Sequence, residues 1–88
     1  MTDFDDALIA ECPGWVLRLI LRELRRAREL HPDWPAGDLV HAACIVGEEA
    51  GELLKAANQY KHEGGSAEDC GEEAVHTAAT AIRFLMER

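Results

Sequence analysis

The chain has 88 residues, room for one small domain, and its 48% hydrophobic content is enough for one core and too little for a second. Seventeen Asp and Glu against nine Lys and Arg leave a net charge of −8, which repels phosphate backbones and argues against nucleic-acid binding by the surface as a whole. Cys12, Cys44 and Cys70 are odd in number, far apart and in no CxxC pattern, which suggests neither a disulfide framework nor a structural zinc site and points to the reducing cytoplasm.

The first residues, Met-Thr-Asp-Phe-Asp-Asp, lack the basic start and apolar run of a signal peptide, and no stretch is long enough to span a bilayer, so no membrane association is expected. Ala, Leu, Glu and Arg dominate while β-branched residues never alternate with polar ones, which predicts an all-α fold. Residues 1–13 read as a weakly structured N-terminal segment with at most an acidic helical turn before Pro13-Gly14.

A first helix is predicted from about Trp15 to Leu30, with Leu17, Ile20, Leu24 and Ala27 as its apolar stripe, ended by His31-Pro32 and Pro35. Trp15 reads as a core cap, and the arginines Arg18, Arg22, Arg25, Arg26 and Arg28 as a solvated face paired with Glu29. A second helix is predicted from about Asp38 to Lys61, its apolar face collecting Leu39, Ala43, Val46, Ala50, Leu53, Leu54 and Ala57. Gly64-Gly65 stops it, and Ser66, reciprocally capped with Asp69, starts a third that runs to about Met86. The expected architecture is a single antiparallel bundle of three to four helices over residues 1–88. So short a chain buries a limited core, so oligomerisation to a dimer or tetramer is expected to complete it.

The chemistry concentrates in two motifs. Glu48-Glu49-x-x-Glu52 crowds three carboxylates on adjacent turns, with Lys55 as the nearby cation of that helix. Like charges at such spacing destabilise a helix by a few tenths of a kcal/mol per pair, a cost that a divalent ion would offset by coordination. Glu73-x-x-His76 lies on the third helix, which the Gly-Gly turn folds back beside the second, so ligands from two helices can hold one ion. A run of Glu is also the ordinary signature of a solvated face, and a helical projection sets these carboxylates opposite the main apolar stripes, where a neighbouring subunit would have to cover them. Lys55 can contact phosphate from the Glu52 face.

At these motifs the sequence resembles the all-α nucleotide pyrophosphohydrolase superfamily: the MazG-like proteins, dimeric dUTPases and phosphoribosyl-ATP pyrophosphatases. The family signature is EExxE followed, after a loop, by ExxD. Residues 48–52 match the first half, and residues 73–76 match the second with His76 in place of Asp. The resemblance covers about residues 36–86 and implies that Glu49, Glu52 and Glu73 bind Mg²⁺, with His76 in the last ligand position and Glu48 as catalytic base. The implied substrate is a nucleoside triphosphate, cleaved to monophosphate and pyrophosphate. An imidazole at position 76 favours Mn²⁺, Fe or Zn²⁺ over Mg²⁺. Two other readings stay open: a carboxylate-bridged di-iron or di-manganese helical protein, because Glu-x-x-His with Glu on a second helix is the ligand pattern of such bundles, and a noncatalytic helical interaction module.

Overall fold

The computed structural model describes residues 3–88, so Met1 and Thr2 of the N-terminal segment lie outside the described residues. Four α-helices account for nearly all of it, α1 (Asp3–Glu11), α2 (Gly14–Leu30), α3 (Leu39–His62) and α4 (Ala67–Glu87), with no strand among the described residues. The segment before Pro13 is thus more helical than its composition suggested. Among the described residues α1 packs on no other helix, and its Leu8 and Ile9 are exposed.

The helix ends follow the local chemistry. Asp38 Oδ1 accepts from the His41 amide at 3.0 Å, which makes Asp38 the N-cap of α3. Ser66 Oγ accepts from the Asp69 amide at 3.1 Å and opens α4. Between them, the amides of Glu63 and Gly65 both return to the Gln59 carbonyl. Gly64 sits at φ +75°, and a Cβ on Gly65 would meet the Gln59 and Tyr60 backbone at 3.0 Å, so the reversal needs both glycines.

α4 is the central element: it packs against α3 on one side and α2 on the other, while α2 and α3 do not touch among the described residues. Pairings along its length give the directions. Residues 52–59 of α3 lie beside 69–73 of α4, and Ala43 and Val46 beside Phe84 and Leu85, so that pair is antiparallel. His76 meets Glu23 and Arg83 meets Ala27, so α2 runs parallel to α4. The three helices form an open layer. With the unpacked α1 included, the radius of gyration is 14.8 Å, against roughly 12 Å for a compact chain of this length.

The buried apolar core is Leu24, Ala42, Ala56 and Ala79, and this corrects the predicted face of α3. Alanines at the α3–α4 seam allow close backbone approach, so the line Ala42, Glu49, Ala56 faces α4, while the bulkier Leu39 and Leu54 project sideways at 57% and 67% exposure. Leu17 and Trp15 of α2 are likewise exposed, at 48% and 60%: Trp15 is no core cap. The arginine pairing also differs from expectation, since Arg26 pairs with Glu23 and Arg28 with Glu87, with Glu29 in neither pair.

Arg83 is 4% exposed and joins α4 to the C-terminus of α2. Its Nη2 donates to the His31 carbonyl at 2.7 Å, Nη1 to the Ala27 carbonyl at 3.4 Å and Nε to Glu87 at 2.8 Å. The guanidinium also stacks 4.9 Å from the centroid of Trp34 in the α2–α3 connection. Removing it takes the charged donor from the His31 carbonyl, a bond worth about 1.5–3 kcal/mol, while the Ala27 carbonyl keeps the His31 amide at 2.8 Å. Arg83→Met is therefore expected to lower unfolding stability by about 2–3 kcal/mol in urea titration. Arg83→Lys, which lacks the planar fork, is expected to recover less than half of that loss; a loss below about 0.5 kcal/mol for Arg83→Met would show that the arginine does not hold α2.

Candidate metal centre

The turn of α3 beginning at Glu48 splits its carboxylates by direction. Glu49 falls on the Ala42–Ala56 line and is half-buried against α4, while Glu48 and Glu52 are exposed. Across the seam, Glu73 and His76 stand one turn apart on the facing side of α4, both half-buried. The Thr77 and Thr80 hydroxyls donate back to the Glu73 and His76 carbonyls at 2.8 and 2.7 Å, which occupies both hydroxyls within α4.

One donor atom each of Glu49, Glu73 and His76 lies within 4.8 Å of the others. His76 Nδ1 is 3.5 Å from Glu73 Oε2. Two donors bound to one ion at 2.0–2.3 Å are at most about 4.6 Å apart, so small rotamer changes suffice to bring all three onto a single cation. Two carboxylates and an imidazole form a donor set suited to Mn²⁺, Fe or Zn²⁺, and to Mg²⁺ through the carboxylates. The residues present fit a divalent ion.

Of the residues singled out in the sequence, the fold brings Glu49, Glu73 and His76 together. The location corrects the helical projection, which set the carboxylates opposite the apolar faces: Glu49 sits in the α3–α4 seam, covered by its own chain. Glu52 and Lys55 lie one turn further on, in a shallow depression of about 230 Å³ shared with Gln59, Asp69, Glu72 and Glu73. Glu48 stands outside both groups, exposed to solvent.

Glu23 was not singled out in the sequence. Its Oε1 lies 3.5 Å from His76 Nε2 and 2.9 Å from Arg26 Nη1, and its side chain is 17% exposed. Its position three residues after Ile20 and four before Ala27, at the edge of the α2 stripe, was the available signal. Beside it a groove of about 910 Å³ runs between α2 and α4, from Trp15 past Leu19, Arg22 and Arg26 to His76.

Holding Glu49 and Glu73 this close without a cation is unfavourable, which predicts opposite responses to charge removal and to metal. Glu73→Gln is expected to leave the metal-free protein as stable as wild type or a few tenths of a kcal/mol more so. Mn²⁺ at about 100 times its Kd is expected to stabilise wild type by about 2.7 kcal/mol and the variant hardly at all. Thermal melts with and without MnCl₂ read both; an equal Mn²⁺ response in the two proteins would exclude this centre. No family model, curated protein or solved structure matches this chain.

Proposed function

We propose that the chain is a metal-dependent nucleotide pyrophosphohydrolase that converts a (d)NTP to the (d)NMP and pyrophosphate. The observation that carries this reading is that Glu49, from the first acidic motif, and Glu73 and His76, from the second, converge within 4.8 Å across the α3–α4 seam. One residue of the first acidic motif thus meets both ends of the second.

In this reading Glu49, Glu73 and His76 hold Mg²⁺ or Mn²⁺, with Glu52 close enough along α3 to extend the ligand set toward Lys55. An ion held there would supply charge neutralisation for the triphosphate and a lowered pKa for a water bound to it. Lys55, exposed beside Glu52, meets a phosphate oxygen. Glu48, the base that the resemblance implies, keeps that role in this reading as an exposed carboxylate of α3 outside the cluster. Phosphoryl transfer draws mainly on positioning and charge neutralisation, so these groups suffice without a protein nucleophile. The α2–α4 groove that ends at His76 accommodates the nucleoside, with exposed Trp15 offering a π face to the base.

Self-association belongs to the same proposal. The open layer leaves Leu39, Val40 and Leu54 of α3 exposed, together with an apolar groove lined by Ala43, Val46, Ala81, Phe84 and Leu85. A second copy laid across this face would close the layer into a bundle, as a dimer or tetramer. Among the described residues no helix is long and apolar enough to cross a membrane.

The donor set also supports a second reading. One Glu from α3 and a Glu-x-x-His from α4 are half of a carboxylate-bridged di-iron or di-manganese site, which a twofold axis would complete. Pyrophosphate release from canonical and modified nucleotides with Mg²⁺ and Mn²⁺ separates the two. Wild type is expected to release pyrophosphate, with Glu49→Gln and Glu73→Gln each lowering kcat at least about 100-fold, or 2.7 kcal/mol. Undiminished turnover in both variants would refute the site, whereas absence of pyrophosphate with an iron charge-transfer band on reconstitution would favour the oxidative protein.

A further inference from the structure

His76 presents its two ring nitrogens to two different helices. Nδ1 is 3.5 Å from Glu73 Oε2 on its own helix, and Nε2 is 3.5 Å from Glu23 Oε1 on α2. These separations are longer than a formed N–H···O bond of about 2.7–3.2 Å, and a few tenths of an ångström of side-chain motion closes either. The Glu23 carboxylate is largely buried and restrained, because the same Oε1 accepts from Arg26 Nη1 at 2.9 Å.

A neutral imidazole that gives one nitrogen's lone pair to a metal carries its proton on the other, and that N–H needs an acceptor, usually a carboxylate or carbonyl just outside the ligand set. We propose that Glu23 is the positioning residue of the metal centre: its carboxylate accepts from His76 Nε2–H and so turns the Nδ1 lone pair toward Glu49 and Glu73. The inference rests on the metal-centre reading above.

The opposite assignment, with Nε2 as the ligand, fits the geometry poorly. It would draw the cation toward an oxygen already held by the Arg26 guanidinium, and away from Glu73, whose carboxylate lies beside Nδ1. With Nδ1 as the ligand, every group has a partner: Arg26 holds Glu23, Glu23 holds the imidazole, and the imidazole joins the two carboxylates.

An anionic acceptor also makes a histidine a more basic ligand. The ring stays neutral and the charge stays on Glu23; the hydrogen bond only strengthens Nδ1 as a donor. Since Glu23 and Arg26 also line the α2–α4 groove, anything bound there sits one side chain away from a metal ligand.

Two measurements test this on the full chain. Imidazole nitrogen chemical shifts by NMR on the metal-free protein are expected to report the Nε2–H tautomer of neutral His76 in wild type. Glu23→Gln, whose amide oxygen still accepts, should keep it, and Glu23→Ala should lose it. Calorimetry with Mn²⁺ should show Glu23→Ala weakening binding by about 10- to 100-fold, with Glu23→Gln retaining most of the affinity. In a His76→Ala background Glu23→Ala should cost nothing further, because a positioning residue acts only through the group it positions. Far-UV circular dichroism confirms that each variant is folded. An unchanged tautomer in Glu23→Ala, or the same added loss with and without His76, overturns the proposal. Wild type that binds Mn²⁺ as tightly as Glu23→Ala defeats the Glu23 role alone, whereas wild type that binds no Mn²⁺ defeats the metal centre and this role with it.

Discussion

Arg83 is a charged side chain buried between helices that carry few large buried groups, and the placement of α2 depends on it. Burying a guanidinium is costly unless its donors are met, and here they are met by two carbonyls at the end of α2, a carboxylate of α4 and the face of Trp34. A helix C-terminus is short of hydrogen-bond donors and carries partial negative charge, so a cation there satisfies both deficits. Leu24 is the one buried apolar side chain that α2 contributes, so apolar contact alone would leave its register loosely defined. The fork of Arg83 supplies the direction that hydrophobic contact lacks.

That anchoring bears on the candidate centre two turns away. With α2 held at Ala27 and His31, Glu23 is delivered to His76, and the α2–α4 groove opens beside them. On the other flank, the alanine seam brings α3 against α4 so that Glu49 is half-buried beside Glu73 at the seam's edge. Two carboxylates in such a position work against stability. The imidazole of His76 beside them makes the trio a mixed nitrogen and oxygen donor set, which narrows the cations that would suit it.

The remainder of the surface is unusually apolar for so small a chain. Leu39, Val40 and Leu54 lie along α3, while Leu85 and Met86 close α4, all more than half exposed. An open layer of three helices has two faces and cannot bury both by itself. The side groove of α3 and α4 is continuous with this strip, at the opposite end of the seam from Glu52 and Lys55, so a second copy could cover one without obstructing the other.

Sequence by itself determined the three long helices, the Ser66 cap and the reversal at Gly64-Gly65, though not the extent of α1, because propensity, side-chain capping and positive φ are local properties that a few neighbouring residues settle. It also brought Glu49, Glu73 and His76 forward as ligands, since spacing along a helix and an antiparallel turn limit where such residues can go. What it left open was which face of each helix turns inward. On α3 the larger apolar residues marked one stripe, but close packing favoured the alanines of another, and a rotation of that size moved Glu49 from the outside to the seam. The parts played by Glu23 and Arg83 were decided by the tertiary structure alone: each acts across helices far apart in the chain, and no local pattern separates a charged residue at the edge of a stripe from one that meets a buried partner.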